Sequence, residues 1–179
     1  MEVKRDERYN RKMNQESFLN PDTIVDEWDV RPGEVVADFG AGSGFFSVAL
    51  AKRVGYAGKV YALDIREKAL EAVRSRAKSF RLLNIETIKA DLERERGSTL
   101  KNGTMDKIVI SNILFQAANT QSIIEEARRI LKPNGLVFAI EWKDKIKKEE
   151  TERLFELAGF KKHKEFAAGS HHYGIIFKK

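Results

Sequence analysis

Cysteine is absent from the 179 residues of the sequence. This absence excludes disulfide bonds, thiolate metal ligands and cysteine nucleophiles. Only three histidines are present, so we expect no metal site. No apolar run approaches the roughly 18 residues that a membrane span requires. The first residues are charged and lack the apolar segment of a secretory signal, which predicts a cytoplasmic protein.

The charge balance is mildly basic, with 33 Lys and Arg residues against 27 Asp and Glu residues and a net charge of +6. This excess allows a nucleic-acid partner but does not favour one.

The length of the sequence fits one domain. No repeat or linker divides the chain, and we expect a charged arm over residues 1–19 followed by one domain over residues 20–179. Nothing in the composition predicts an oligomeric state.

One stretch, residues 35–46, has the pattern of a strand, a tight turn and a helix. Its apolar run is followed by a carboxylate and by small residues, namely Asp38, Gly40, Ala41, Gly42 and Gly44. Glycine allows the backbone torsions of such a turn and lets a ligand approach the main chain. A helix that starts after the turn directs free N–H groups back towards it. The stretch therefore predicts a nucleotide-type site at the carboxyl end of the first strand.

The glycine spacing distinguishes between two cofactor classes. A dinucleotide site usually has the pattern G-x-G-x-x-G, whereas the three glycines here are spaced by two. With Asp38 ahead of them, they resemble motif I of the class I S-adenosylmethionine (SAM)-dependent methyltransferases. The resemblance implies that the turn meets the methionine part of SAM and that Asp38 helps to place its ammonium group. A glycine-rich corner without a chemical role is the alternative.

The same resemblance implies a fold and a reaction. The family has a Rossmann-like α/β fold with a seven-stranded, mostly parallel sheet in the order 3-2-1-4-5-7-6, an antiparallel strand 7 and helices on both faces. Its members transfer a methyl group from SAM by in-line displacement and release S-adenosylhomocysteine. After a first helix that Asn20 caps, hydrophobic patterning predicts helices at about 44–54, 67–80, 120–132 and 148–158, and strands at 34–39, 59–64, 85–89, 105–112, 136–140, 160–166 and 172–178.

Two further stretches follow predicted strands and match cofactor positions of the family. Asp64 ends strand 2, where a carboxylate can accept hydrogen bonds from both ribose hydroxyls, and Ile65 follows it. Ala90, Asp91 and Leu92 follow strand 3, and the resemblance implies that they contact the adenine ring. Alternatively, Asp64 is a surface residue that caps the next helix, and Asp91 begins a polar loop.

The segment at the end of strand 4 faces the transferred methyl group in this family. Ser111 and Asn112 are therefore candidate cofactor contacts, and Phe115 is a candidate substrate contact. Methylases of exocyclic amino groups in nucleic-acid bases commonly have Asn/Asp-Pro-Pro-aromatic at this place. No proline occurs here, which argues against that activity.

The joint Leu131-Lys132-Pro133-Asn134-Gly135, between a helix and strand 5, resembles small-molecule methyltransferases, including those of quinone biosynthesis. An acceptor that loses a proton needs a general base. The candidate catalytic residues near this edge of the sheet are Asn112, Glu141, His171 and His172, with Trp142 as a substrate contact. Glu141 and the two histidines are alternatively polar residues without a catalytic role.

In the charged arm, Tyr9 and Met13 are four residues apart and would share one helix face, which favours a lid over the ligand pocket. A solvated helix packed on the domain is the alternative. Taken together, the patterns predict a SAM-dependent methyltransferase with a small-molecule acceptor. An RNA or protein methyltransferase, and a module that binds SAM or a nucleotide without turnover, are the other candidates.

Overall fold

The computed structural model describes residues 19–179. The predicted arm, with Tyr9 and Met13, lies outside these residues except for Leu19. The described helices are α1 (Pro21–Glu27), α2 (Phe45–Val54), α3 (Glu67–Ser79), α4 (Thr120–Ile130) and α5 (Lys148–Leu157). The strands are β1 (Val35–Phe39), β2 (Lys59–Asp64), β3 (Ile85–Lys89), β4 (Met105–Ser111), β5 (Leu131–Trp142), β6 (Lys161–Phe166) and β7 (His172–Lys178). One short 3₁₀ helix, Leu114–Gln116, follows β4.

The seven strands form one sheet in the order β3-β2-β1-β4-β5-β7-β6. Neighbouring strands from β3 to β5 are parallel, whereas β7 is antiparallel to both β5 and β6. The predicted order and the antiparallel β7 are confirmed. The strand order reverses between β1 and β4, and in such sheets a crevice opens at the carboxyl ends of the strands at that point.

Helices cover both faces of the sheet because successive residues of a strand point to opposite sides. In β4, Val109 belongs to the core under α1 and α2, whereas Ile108 and Ile110 belong to the core under α4 and α5. A strand buried on both faces has the continuous apolar run that the sequence shows here. Trp28, just after α1, stacks on Phe138 of β5 with ring centroids 4.1 Å apart. This contact packs the end of α1 against the middle of β5.

The joint between α4 and β5 differs from the prediction. We expected the helix to end at Lys132 and the strand to begin at Leu136, but α4 ends at Ile130 and β5 begins at Leu131. Pro133 explains the early end of the helix, because proline lacks an N–H group and disfavours helical geometry in the residue before it. Leu131 pairs instead with β4, and the register of this ladder then shifts before Leu136.

Candidate active site

The carboxyl ends of β1, β2 and β4 border a cleft made of two adjoining cavities. The larger has a volume of about 550 Å³ and is lined by Asp38 and Ser111 among others. The smaller has a volume of about 240 Å³ and is lined by Asp64 and Asp91 among others. Gly40 lines both cavities, so the glycine turn stands where they meet.

Glycine is required in this turn for reasons that differ between positions. The φ angles are positive at all three, with 69° at Gly40, 53° at Gly42 and 78° at Gly44. A Cβ atom at Gly40 would overlap Ile113, and one at Gly44 would lie 2.9 Å from Cγ2 of Val73 in α3. A Cβ atom at Gly42 would meet only the carbonyl oxygen of Gly40, at 3.8 Å. The backbone at Gly42 is thus open to an approaching group.

Asp38 is a buried carboxylic acid beside the larger cavity, with 2% of its surface exposed. The Ser47 hydroxyl of α2 donates to its Oδ2 at 2.5 Å. Burial, with a smaller contribution from the nearby Asp64, raises the pKa of Asp38 to about 6 despite this hydrogen bond. An opposite charge favours the ionised form of such a group, so Asp38 is suited to receive a cation.

Asp64 is equally buried but has many more hydrogen-bond donors. Its carboxylate accepts the backbone N–H of Gly42 at 3.0 Å and that of Arg66 at 2.9 Å. The Arg66 side chain adds Nε at 3.0 Å and Nη2 at 3.1 Å. Although burial acts to raise the pKa of Asp64, the hydrogen bonds from Arg66 and Gly42 outweigh it and hold the pKa below its usual value. No motif in the sequence had pointed to Arg66 as a partner of Asp64.

The residues predicted to contact adenine lie together at the smaller cavity, which Ile65, Ala90, Asp91 and Leu92 line along with Asp64. Asp91 also has the local role of a loop residue. Its Oδ1 accepts the backbone N–H of Glu93 at 3.2 Å, and its Oδ2 pairs with Nε of Arg94 at 2.8 Å. The two interpretations of Asp91 are therefore compatible.

The segment after β4 separates the residues that we had grouped around the methyl group. Ser111 lines the larger cavity. Asn112 adopts a positive φ of 57°, and its buried side-chain oxygen has no hydrogen-bond partner in the described part of the chain. Ile113 lines the smaller cavity, whereas Phe115 packs against the core under α4 and α5.

Glu141 is fully buried beneath this segment. Its Oε1 accepts the backbone N–H of Ile113 at 3.1 Å and that of Leu114 at 2.9 Å. Its Oε2 has no partner within residues 19–179. Burial raises the pKa of Glu141 to about 7. The geometry thus gives Glu141 a structural contact, with the 3₁₀ helix that begins at Leu114.

The two adjacent histidines lie beyond Trp142 at the same edge of the sheet. The ring centroid of Trp142 is 4.1 Å from that of His172 and 6.2 Å from that of His171. His172 is buried, and its Nε2 lacks a partner among the described atoms. Burial, followed by His171 and Lys143, lowers the pKa of His172, so its imidazole is neutral at pH 7. His172 lines a further cavity of about 550 Å³ that is separate from the cleft.

A seven-stranded sheet in this order, with a glycine turn after β1 and acidic side chains at the ends of β1 and β2, defines a class I methyltransferase fold. The methyltransferase-domain family matches residues 31–175. The chain belongs to this family.

Among curated proteins, the ubiquinone/menaquinone biosynthesis C-methyltransferase UbiE of Hydrogenovibrio crunogenus is 32% identical over 113 residues, or 63% of this chain and 44% of that protein. The ribosomal protein L11 methyltransferase of Caldanaerobacter subterraneus is 35% identical over 155 residues, or 84% of this chain and 44% of that protein. This chain therefore spans less than half the length of either relative. The crystal structure of a SAM-dependent methyltransferase from Aquifex aeolicus has a TM-score of 0.80 at 24% identity and covers 90% of each chain, which shows the same fold.

The family implies SAM as the methyl donor, and the side chains at the cleft fit this molecule. Asp64 is an ionised carboxylate, Asp38 is suited to a cation, and only the carbonyl oxygen of Gly40 lies within 4 Å of the Cβ position at Gly42. Within residues 19–179, no group of three or more His, Cys, Asp or Glu side chains could hold a metal ion. No helix of the described chain is long and apolar enough to cross a membrane.

Proposed function

We propose that the chain transfers a methyl group from SAM to a small-molecule acceptor. The larger cavity carries this proposal. Its volume of about 550 Å³ falls within the range of small-molecule sites, roughly 300–1,000 Å³. Leu19, Phe45 and Phe46 line it beside Asp38, so a largely apolar space adjoins the proposed position of the donor. Such a space suits an apolar acceptor better than a nucleic-acid backbone.

We propose the following contacts with the donor. Asp64 accepts the ribose hydroxyls, and Asp38 faces the ammonium group. The turn Gly40-Ala41-Gly42-Ser43-Gly44 offers its backbone to the methionine part, with Ser111 and Asn112 opposite. The adenine ring lies among Ile65, Ala90, Asp91 and Leu92, which line the smaller cavity.

When bound, the donor supplies a methyl group on a positively charged sulfur. The task of the protein is then to hold the acceptor in line and to exclude water, which together can account for much of the rate. Among the candidate bases, His172 has a neutral imidazole whose Nε2 lacks a partner among the described residues, but it lines the cavity that is separate from the cleft. Oε1 of Glu141 binds backbone N–H groups. We therefore assign the general base to neither residue.

We further propose that the arm over residues 1–19 acts as a lid on the domain over residues 20–179. The support comes from its last residue, because Leu19 lines the larger cavity together with Asn20 and Pro21. The domain therefore joins the arm at this cavity.

We also infer a cytoplasmic location, since a chain without cysteine needs no oxidising compartment.

A protein acceptor is the second candidate. The relative with 35% identity over 84% of this chain is named for ribosomal protein L11, and the net charge of +6 would suit an acidic partner. A protein or RNA acceptor would need an extended contact surface and should show a strong dependence on salt if phosphates are bound.

The acceptor class can be tested with SAM that carries a labelled methyl group. We expect label to appear in the small-molecule fraction of a cell extract, and not in its protein or RNA fractions. Label confined to protein or RNA would overturn the proposal of a small-molecule acceptor and would favour the second candidate.

The Asp64→Ala variant tests the proposed contact between Asp64 and the ribose of the methyl donor. It removes an acceptor for two charge-assisted hydrogen bonds, each worth roughly 1.5–3 kcal/mol. We expect affinity for S-adenosylhomocysteine, measured by calorimetry, to fall at least about tenfold, with transfer lost in parallel. Asp29→Ala is the matched control, because Asp29 is exposed and pairs with Arg31 away from the cleft. An unchanged dissociation constant in Asp64→Ala would count against the ribose assignment.

A further inference from the structure

The carboxylate that we assign to the ribose is already occupied by a side chain of the same protein. Nε of Arg66 lies 3.0 Å from Oδ1 of Asp64, and Nη2 of Arg66 lies 3.1 Å from Oδ2. Oδ1 also accepts the backbone N–H of Arg66, and Oδ2 that of Gly42. Each oxygen of Asp64 therefore has two donors.

These four donors fill the hydrogen-bonding capacity of the group, because a carboxylate has about four lone-pair positions. The two backbone donors fix the orientation of Asp64. The two side-chain donors form a fork, in which parallel N–H groups address both oxygens. The two hydroxyls of a ribose are also neighbouring donors and would address the same two oxygens. Arg66 and a ribose therefore compete for Asp64.

Arg66 is able to leave this position. Its side chain is 69% exposed, whereas that of Asp64 is 3% exposed. No other side chain holds the guanidinium group in the described part of the protein. After departure the guanidinium would be hydrated by bulk water, and Asp64 would keep its two backbone hydrogen bonds. Pairs with such an exposed partner add little stability, so a ligand can displace this one.

We propose that Arg66 is a built-in competitor that occupies Asp64 in the free protein and is displaced when a ribose binds. The inference rests on the proposed donor site. Arg66 weakens the binding of SAM and of S-adenosylhomocysteine alike, and it promotes release of the product by closing on Asp64 as the ribose departs.

Competition between Arg66 and a ribose predicts a salt dependence of binding that a simple ligand contact would not show. The displaced contact is an ion pair with an exposed partner, which salt weakens, whereas the incoming hydroxyls are neutral. The affinity of an uncharged nucleoside should therefore increase with salt. Adenosine is a suitable probe because it has the ribose and the adenine ring but no ammonium group to interact with Asp38.

The experiment compares three proteins, namely wild type, Arg66→Ala and Arg74→Ala, by calorimetric titration with adenosine at about 50 mM and about 500 mM salt. Arg66→Ala keeps the backbone N–H that binds Asp64. Arg74→Ala is the matched control, because Arg74 lies on the next helix, pairs with Glu67 at 2.6 Å and changes the charge equally. Arg66→Lys keeps the charge but not the fork, and we expect it to behave in an intermediate way.

We expect Arg66→Ala to bind adenosine roughly two- to fivefold more tightly than wild type at low salt. The difference should shrink at high salt, and Arg74→Ala should match wild type. Equal or weaker binding by Arg66→Ala would overturn the inference. A parallel titration with S-adenosylhomocysteine separates the two proposals. If wild type binds it and Arg66→Ala gains no affinity, only the competition fails. If neither protein binds it, the donor site fails as well.

Discussion

At the residue scale, Asp38 and Asp64 are similarly buried, but their pKa values are shifted in opposite directions. Both carboxyl groups are at most 3% exposed. Asp64 has four N–H donors, and its pKa stays below the usual value. Asp38 receives its hydrogen bonds from Ser47 alone, so burial prevails and raises its pKa to about 6. The cleft therefore combines an ionised carboxylate, Asp64, with a second carboxyl group, Asp38, whose ionised form a bound cation would stabilise.

The pKa of Asp38 predicts pH-dependent binding of S-adenosylhomocysteine, which carries an ammonium group. As the pH falls below about 6, Asp38 becomes protonated and attracts the cation less. We expect the affinity to fall by up to roughly tenfold per pH unit below that value. Calorimetry at several pH values measures it. Adenosine, which lacks the ammonium group, is the control, and equal pH profiles for the two ligands would contradict the prediction.

At the element scale, the 3₁₀ helix after β4 depends on Glu141 in β5. The pKa of Glu141 in the folded protein, about 7, exceeds its ordinary value of 4.5. The native state then binds more protons than the unfolded state between these values, so stability decreases as the pH rises through this window. Ionisation of Glu141 costs on the order of 3 kcal/mol at most.

We expect Glu141→Gln to be more stable than wild type at about pH 8 by a large part of that amount, and by less at about pH 5. Urea unfolding at both pH values measures the difference. The amide oxygen of glutamine can still accept the N–H groups of Ile113 and Leu114. Glu141→Ala leaves these groups without a partner and should lose roughly 1–3 kcal/mol relative to Glu141→Gln. Equal stability of wild type and Glu141→Gln at the higher pH would argue against a destabilising buried charge on Glu141.

The contact between the glycine turn and α3 leads to another prediction at this scale. Gly44→Ala combines an unfavourable φ of 78° with a Cβ atom 2.9 Å from Val73. Gly33→Ala is a matched control, because its φ is 86° and no atom lies within 4 Å of its Cβ position. We expect the control to lose roughly 1 kcal/mol from backbone strain and Gly44→Ala to lose clearly more. Thermal unfolding of both variants measures this, and equal losses would show that α3 adapts freely.

At the scale of the whole molecule, the family resemblance implied the sheet order, and patterns local to the chain predicted most element bounds. The buried run of β4 and the cap at Asn20 are signals of this kind. The contacts between individual side chains were harder to predict from the sequence. We grouped Glu141 with His172, but alternation along β5 places Glu141 beside Tyr173 and pairs His172 with Trp142. Arg66 had no sequence signal beyond its position two residues after Asp64, because its pairing depends on how the chain turns there.

The predicted arm over residues 1–19 leads to a prediction about ligand-dependent hydrogen exchange. We expect amide hydrogen exchange over residues 1–18 to slow when S-adenosylhomocysteine is present, because a lid that includes Tyr9 and Met13 would dock on the filled cleft. Deletion of residues 1–16 should abolish most turnover and weaken SAM binding only modestly. Equal exchange in both states, together with full activity of the deletion variant, would refute the lid.

The two tryptophans, Trp28 and Trp142, give the protein a pair of distinct optical probes. Trp28 is 3% exposed and stacked on Phe138, so its fluorescence should be blue-shifted and should change only when the core opens. Trp142 is 38% exposed beside His172, so its emission should lie at longer wavelength and respond to ligands at that edge of the sheet. Opening of the core and changes around His172 can therefore be followed in one unlabelled sample by choosing the emission wavelength.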